Sequence, residues 1–302
     1  MRVATFNVQN MRLRMRDGVP QLDGAEDRDD RTRVIPGLDR MDRRLTAAVL
    51  REIDADVVAL QEVFDQETLD FFHDRYLTVD GFRPYPERIC LPGNDGRGLD
   101  VAVMSRLPLQ DVRSHADVTR RALGLEGGEK PDAPALRRDC LMVTVQGVTL
   151  VICHFKAPYP DPVAAWTTRR EEAEVVRHLI DTRFGDDALW LILGDLNEPD
   201  PKGHAAAIAP LLPPFSIDLL DRLAPTDRWT YFNADTNRPS RPDAMLASPA
   251  LAGRFPAARP QVQRIGMARD VPATEAERLA PVGWHRPHAS DHAALWVDFD
   301  AL

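Results

Sequence analysis

Short apolar segments typical of β-strands alternate with helical segments along this chain, and most of the strands end in polar side chains. The apolar run of residues 188–193, for example, continues almost directly into Asp195 and Asn197. Burying an unpaired carboxylate or imidazole costs several kcal/mol, so polar groups that follow several separate strands indicate one shared polar site. The alternation predicts an α/β or α+β fold with that site at one edge of the strands. The polar residues concerned are Asn7, Gln9, Gln61, Glu62, His154, Asp195, Asn197, Asp291 and His292.

The spacing of apolar residues predicts three helices, over residues 38–53, 66–76 and 163–183. We expect the buried stripe of the third helix to contain Trp166, Ala173, Val176 and Ile180. Strands are predicted over residues 3–8, 56–63, 99–105, 139–145, 148–155, 188–193, 230–232, 243–247 and 293–299. Residues 9–36 are rich in Arg and Asp and are expected to form a solvated loop, or a lid over a site at the end of the first strand.

The composition is that of a globular protein and indicates a single domain over residues 1–302. Hydrophobic residues make up 44% of the chain and charged residues 28%, which excludes a disordered or fibrous protein. The longest apolar run, residues 188–193, is far shorter than the roughly twenty residues of a membrane span. The N-terminus shows no signal-peptide pattern, and three cysteines do not suggest a disulfide framework. We therefore expect a cytoplasmic protein, with a monomer as the default state.

The formal net charge of the chain is −9. Domains that hold nucleic acid mainly by bulk electrostatics are usually basic, so the charge argues against that class of protein. It does not exclude an enzyme that contacts a phosphate only at a metal site. The charge therefore leaves phosphoester chemistry open.

Seven short motifs occur in order between residues 5 and 292. They are residues 5–10 (TFNVQN), 60–63 (LQEV), 99–106 (LDVAVMSR), 153–156 (CHFK), 194–197 (GDLN), 241–246 (RPDAML) and 289–292 (ASDH). The ordered set resembles the endonuclease/exonuclease/phosphatase superfamily, which includes DNase I-like and exonuclease III-like metal-dependent phosphoesterases. The resemblance implies a four-layer α/β sandwich, in which two mixed β-sheets pack face to face and helices flank them.

The resemblance also implies which residues hold the metal and the phosphate. Glu62 would be the principal ligand of Mg²⁺, with Asn7 nearby in the metal and phosphate shell, and Mn²⁺ is expected to substitute. Asp291 would complete the metal shell or orient its neighbours. Arg138 would contact the substrate phosphate. A hard cation with oxygen ligands suits a site of carboxylates and substrate oxygens, whereas no pair of Cys or His residues stands at zinc spacing.

Five further residues receive catalytic roles from the same resemblance. Asp195 would orient or deprotonate the attacking water, and Asn197 would hold a phosphate oxygen. His292 would bond to the scissile phosphate, and Asp243 would fix its ring. His154 is a second imidazole, which can donate a hydrogen bond near neutral pH.

Two positions separate branches of the superfamily. His154 matches the DNase I-like and sphingomyelinase-like members, whereas exonuclease III-like members have Asn at the corresponding position. Gln9 stands where exonuclease III-like members tend to have Asp, which argues against a function in abasic-site repair. Residues 156–162 (KAPYPDP) have no counterpart in a named branch.

The sequence therefore predicts a Mg²⁺-dependent phosphodiesterase, with a DNase I-like endonuclease acting on nucleic acid as the favoured interpretation. A small phosphorylated or lipid-derived substrate is the main alternative. A non-catalytic binding module on the same fold is a third interpretation, but it predicts gaps in the catalytic set, and that set is complete in this sequence.

Overall fold

Two six-stranded β-sheets dominate the computed structural model, which describes residues 1–26, 34–128, 130–198, 206–233, 236–271, 277–300 and 302. The strands are β1 (Arg2–Met11), β2 (Leu13–Arg16), β3 (Val19–Leu22), β4 (Val57–Val63), β5 (Glu87–Cys90), β6 (Asp100–Ser105), β7 (Gln110–Arg113), β8 (Leu141–Val145), β9 (Val148–His154), β10 (Trp190–Asp195), β11 (Ile217–Asp218), β12 (Tyr231–Asn233), β13 (Arg238–Ser240), β14 (Asp243–Ala247), β15 (Gln261–Gln263) and β16 (Ala294–Asp298). The α-helices are α1 (Pro36–Ile53), α2 (Gln66–Phe72), α3 (Pro162–Arg183) and α4 (Pro249–Arg254).

Each large sheet has one parallel pair of strands at its centre and antiparallel strands outside it. The first sheet has the order β15-β16-β1-β4-β6-β5, and the second has the order β11-β14-β10-β9-β8-β7. β1 is parallel to β4, and β9 is parallel to β10. The sheets are therefore mixed, as the family resemblance implied.

Alternation of side chains along the central strands divides the core into three apolar layers. On β4, Val57 and Ala59 pack between the two sheets, whereas Val58 and Leu60 pack on the outer side against α1 and α2. On β9, Ile152 packs between the sheets and Val151 packs on the outer side against α3. Helix, sheet, sheet and helix thus form the four layers of the predicted sandwich.

Helix α3 differs from its prediction in which residues it buries. Ala173, Val176 and Ile180 are buried as expected, but Trp166 is 38% exposed. The buried face instead continues through Glu172, whose carboxylate accepts backbone N–H groups from the strand-end segments at 137 and 156 at 3.0 and 2.8 Å. A charged residue is buried there because its hydrogen bonds are satisfied, a condition that apolar periodicity does not reveal.

Residues 9–36 were predicted as a loop or lid, but within the described residues they contain the end of β1 and a β2–β3 hairpin. The hairpin turns at Asp17 and Gly18, both with positive φ, as a tight two-residue turn requires. Arg14 and Arg16 both pair with Asp23 across the hairpin. Only the end of β3, at Gln21 and Leu22, is buried, so the two short strands give no apolar alternation by which the sequence could predict them.

None of the described helices combines the length and the apolar character needed to cross a bilayer. The three cysteines are buried free thiols.

Candidate active site

The carboxyl ends of both parallel strand pairs meet at one edge of the sandwich. In the second sheet, Asp195 at the end of β10 lies opposite His154 of β9 on one side and Asp243 of β14 on the other. Gly194, at φ +131°, precedes Asp195, and a Cβ there would overlap the carbonyl oxygen of Cys153. Only glycine fits this close approach of the strands, which explains the Gly-Asp pair in the motif.

A bulge in the first sheet directs Glu62 into the same edge. β1 and β4 pair in register up to Asn7 and Gln61, and the register then shifts before Met11 and Val63. Glu62 sits in this irregular stretch with φ +67°. Bulges of this kind redirect a side chain, and here the Oε2 of Glu62 accepts the backbone N–H of Asn10 at 2.8 Å.

Asn7 joins the carboxylates of the two sheets. Its Nδ2 donates to Oε1 of Glu62 at 3.2 Å and to Oδ2 of Asp195 at 3.0 Å. Its Oδ1 accepts the backbone N–H of Gln9 at 3.0 Å. That third bond fixes the orientation of the amide, so that its NH₂ faces the two carboxylates.

His292 and Asp243 form a buried pair beside Asp195. The Nδ1 of His292 lies 2.9 Å from Oδ2 of Asp243, and its Nε2 lies 3.9 Å from Oδ2 of Asp195. Burial lowers the pKa of His292, but the negative charges of Asp243, Asp291 and Asp195 outweigh burial and raise the pKa well above its ordinary value. His292 is therefore a cation at neutral pH in this constellation.

Burial raises the pKa of Asp195 to about 6, and the charge of Asp243 raises it while His292 lowers it. The backbone N–H of Asn197 donates to Oδ1 of Asp195 at 2.8 Å. Such a carboxyl changes its charge close to neutral pH, as a general base does.

His154 has the opposite electrostatic environment from His292. Its Nε2 lies 3.7 Å from Oδ2 of Asp195 and 4.0 Å from Oε1 of Glu62. Burial lowers its pKa well below the ordinary value, and the positive charges of Arg138, His292 and Arg97 add to the effect. His154 is a neutral imidazole at pH 7, beside a charged one.

Asn197 and Arg138 meet at the carbonyl oxygen of Phe155. Asn197 donates to it from Nδ2 at 3.0 Å, and Arg138 donates from Nη1 at 3.1 Å. Arg138 also pairs through Nη2 with Asp95 at 2.9 Å. The guanidinium is thus largely engaged by the protein, and both side chains are held rigidly at the wall of the site.

An open cleft of about 370 Å³ brings these groups to solvent. All of the predicted site residues except Asn7 and Asp243 line it, and those two lie directly behind it, bonded to residues that do. Residues 157–159 form part of one wall of the cleft. They belong to the segment 156–162, which has no counterpart in a named branch of the superfamily.

Gln9 has a positioning role that the sequence did not predict. Its Oε1 accepts the backbone N–H of Asp291 at 3.2 Å and lies 3.3 Å from Nε2 of His288. Ser290 donates to the carbonyl oxygen of Asn7 at 2.7 Å and so holds the same loop to β1. The sequence does show polar residues at the end of β1 and in the motif at 289–292. It does not show that these two segments contact each other, because that contact depends on the bulge.

The donor set fits a hard divalent cation. The carboxylates of Asp195, Asp243 and Asp291 surround the cationic imidazole of His292. Glu62 adds a fourth carboxylate at the same cleft, so acidic groups are in excess. Oxygen donors of this type are those that Mg²⁺ and Mn²⁺ bind. Ligand atoms of Asp195, Asp243 and His292 also lie within 4.8 Å of one another, although the facing Nδ1 and Oδ2 of that trio already share a hydrogen bond.

Three solved structures have a similar fold at low sequence identity. An AP endonuclease from Archaeoglobus fulgidus superposes with a TM-score of 0.62 at 17% identity, covering 100% of both chains. TDP2 from D. rerio, complexed with a single-strand DNA product, has a TM-score of 0.56 at 17% identity, covering 98% of this chain and 97% of the other. The 3′ phosphatase NExo from Neisseria, bound to a product DNA hairpin, has a TM-score of 0.56 at 20% identity, covering 99% of both chains.

A comparison with curated proteins found no match. A family model, described as the Endonuclease/Exonuclease/phosphatase family, matches residues 4–292. That range contains all seven motifs and every site residue described above. The chain therefore belongs to the endonuclease/exonuclease/phosphatase family, whose α/β sandwich fold it has.

Proposed function

We propose that this protein is a divalent-metal-dependent phosphodiesterase, and that its natural substrate is a nucleic acid. The observation that carries the proposal is the convergence of Glu62, Asp195 and the Asp243–His292 pair at one open cleft. A binding module has no requirement for a buried Asp–His pair next to a carboxylate whose pKa is near neutral. Membership of a family of nucleases and phosphatases supports the proposal.

Glu62 would be the principal holder of Mg²⁺ or Mn²⁺, with Asn7 and Asp291 beside it. When bound, the cation supplies neutralisation of charge on the phosphoryl oxygens. Asn7 contributes by holding Glu62 and Asp195 in fixed positions through its two Nδ2 contacts. Asp291 is held in turn by the Gln9 contact to its backbone N–H.

The remaining residues account for the movement of protons and for the binding of the phosphate. Asp195 accepts a proton from a water molecule aligned for in-line attack, since its pKa of about 6 suits a base at neutral pH. His292, kept cationic by Asp243, donates from Nε2 to the phosphate. His154 and Asn197 offer further N–H groups at the cleft, and Arg138 adds a fixed positive charge at its wall.

DNase I-like endonuclease activity is the favoured form of this proposal, because His154 and Gln9 both differ from the exonuclease III-like pattern. The three structural neighbours cited above are named for activities on DNA or are bound to DNA. We further propose that residues 1–302 form one domain and that the protein is a cytoplasmic monomer.

A substrate panel tests the proposed function. Supercoiled plasmid, single-stranded RNA, bis-p-nitrophenyl phosphate and a phosphomonoester are each incubated with the protein in Mg²⁺, in Mn²⁺ and in EDTA. Metal-dependent nicking of the plasmid supports the nuclease. Hydrolysis of bis-p-nitrophenyl phosphate alone supports a phosphodiesterase whose natural substrate is a small phosphorylated molecule and not a nucleic acid. Inactivity on all four substrates contradicts the proposal.

A further inference from the structure

A second pocket opens directly beside the catalytic cleft. It has a volume of about 260 Å³ and shares Tyr231, Asn233 and Asp291 with the cleft. Its remaining lining is mainly apolar and comes from β12 and from two segments between β15 and β16, around residues 267–271 and 285–290. A group bound in this pocket is therefore adjacent to a phosphate bound at His292.

The walls of the pocket are fixed by backbone contacts. Ala289 donates its N–H to Gly266 at 2.8 Å, and Asp270 donates to Trp284 at 2.8 Å. A Cβ at Gly266 would lie 2.6 Å from the side chains of Ala289 and Val49. The segments are packed as closely as glycine permits, so the pocket is formed before a ligand arrives.

The floor of the pocket is apolar. Met267 is 1% exposed and packs in a small cluster with Trp229 and Ala293. Phe232 and Val271 pack against this cluster from the sides and line the pocket. Ring, thioether and aliphatic surfaces of this kind favour a flat, weakly hydrated group.

The rim of the pocket carries negative charge, and the opposite wall of the catalytic cleft carries positive charge. Asp270 and Asp291 line the pocket, and Asp270 pairs with His285 at 3.1 Å. Arg97 and Arg138 line the far wall of the cleft. A phosphate is repelled from the carboxylates and attracted to the arginines, so this pocket selects an uncharged part of the substrate.

We propose that this pocket binds the nucleobase of a nucleotide next to the scissile phosphate. The inference rests on the proposed function, and it adds a subsite that makes cleavage depend on a base at one particular position. Tyr231 separates the subsite from the catalytic cleft, with its ring 5.1 Å from that of His292. An occupied subsite therefore packs against the residue that contacts the catalytic imidazole.

Single-stranded oligonucleotides with one baseless (tetrahydrofuran) nucleotide test the subsite. The baseless position is moved stepwise past one labelled linkage, and kcat/KM for that linkage is measured with Mg²⁺. A base that stacks on aromatic and apolar side chains strengthens binding, so we expect one position at which loss of the base lowers kcat/KM about 10-fold. Hydrolysis of bis-p-nitrophenyl phosphate by the wild-type protein tests the proposed function separately, because that ester has no base.

Variants connect the effect to this pocket. In Phe232→Ala we expect the ratio of kcat/KM with and without the base at that position to fall from about 10 to below about 3. Phe232→Leu preserves apolar bulk without the ring and should give an intermediate ratio. Trp284→Ala, a 73% exposed aromatic residue of the same region that does not line the pocket, should retain the wild-type ratio.

Three outcomes would overturn the subsite. One is cleavage of the linkages at rates that do not depend on the base, with bis-p-nitrophenyl phosphate still hydrolysed. Another is faster cleavage beside the baseless nucleotide, which would assign the pocket to a bare sugar. The third is inhibition by phosphocholine that Phe232→Ala abolishes, which would assign the pocket to a cationic headgroup. Inactivity on both the oligonucleotides and the small ester would contradict the proposed function itself.

Discussion

The imidazole of His292 is held through Nδ1 by the carboxylate of Asp243 at 2.9 Å, across 49 positions of the sequence. This contact leaves Nε2 directed at the cleft, 3.9 Å from Asp195. The Asp243–His292 pair therefore sets both the orientation of the imidazole ring and its positive charge.

Asp243→Asn should lower kcat for bis-p-nitrophenyl phosphate by about 10²–10⁴-fold. The substitution retains the shape of the side chain but removes the charge that raises the pKa of His292. We expect the fall in activity at high pH to move to lower pH, because His292 then loses its proton earlier. Initial rates between pH 5.5 and 9 measure this shift, with the exposed Asp132→Asn as the control. A high-pH limb that does not move would exclude Asp243 from controlling His292.

Glu62→Gln should abolish the binding of Mg²⁺ while leaving the fold intact. Glutamine keeps the size of the side chain and can accept one of the two hydrogen bonds that Asn7 and Asn10 donate to Glu62, but it supplies no charge for a divalent cation. Isothermal titration of Mn²⁺ or Mg²⁺ into the protein measures the affinity directly. Glu52→Gln, an exposed position on α1, is the matched control and should bind as the wild type does. Equal affinity in the two variants would remove Glu62 from the metal site.

The free energy of unfolding of the metal-free protein should decrease as the pH rises from 4 to 6, because of Asp195. Its pKa is about 6 in the folded state and about 3.9 in the unfolded chain. The folded state therefore binds the proton more tightly, and raising the pH through this window costs stability. The Asp195→Asn variant lacks this loss. As the pH rises through the window, its free energy of unfolding should therefore increase by on the order of 1–3 kcal/mol relative to that of the wild type. Altered hydrogen bonds add an offset that does not change with pH.

Urea unfolding in EDTA at a series of pH values measures that difference. Addition of Mg²⁺ should stabilise the wild type more at pH 7.5 than at pH 5, because the carboxylates that attract the cation are then ionised. A constant gap between wild type and Asp195→Asn from pH 4 to pH 7.5 would mean that the Asp195 carboxyl titrates normally.

Arg286→Ala should destabilise the fold by about 3–5 kcal/mol. The guanidinium donates to Asp39 and Asp42 at 2.6 Å, and both carboxylates are fully buried. Removing Arg286 leaves two buried carboxylates without this partner. Urea unfolding at pH 7.5 measures the loss, and Arg121→Ala, which breaks an exposed pair with Asp132, should have little effect. Equal stability of the two variants would show that the buried network is not needed for folding.

The strand ends of the candidate site could be predicted from the sequence because each motif joins an apolar strand to its polar residue. The course of β10 into Asp195 follows from such a local pattern, whereas a role for Asp243, which lies opposite Asp195 on β14, was implied only by the family resemblance. The direction of Glu62 could not be predicted, since it depends on a bulge shared by β1 and β4. A bulge is a property of the pairing between strands and leaves no periodic signal in one of them.

Buried arginines were equally inaccessible to sequence reasoning. Arg43 lies on α1 and is fully buried, where it donates to the carbonyl oxygens of Val8, Gln9, Asp23 and Gly24. An arginine on an amphipathic helix ordinarily indicates an exposed face. Two of the acceptors lie near the end of β1 and two lie just after β3, so the reason for the burial appears only in three dimensions.

We propose that Asp195 activates water at a metal-dependent phosphodiesterase site. The most direct test is the initial rate of bis-p-nitrophenyl phosphate hydrolysis by wild type and Asp195→Asn, each in Mg²⁺ and in EDTA. We expect hydrolysis by the wild type in Mg²⁺, a rate about 10²–10⁴-fold lower for the variant in Mg²⁺, and no hydrolysis by either protein in EDTA. Equal rates for the two proteins, or a wild-type rate that EDTA leaves unchanged, would contradict it.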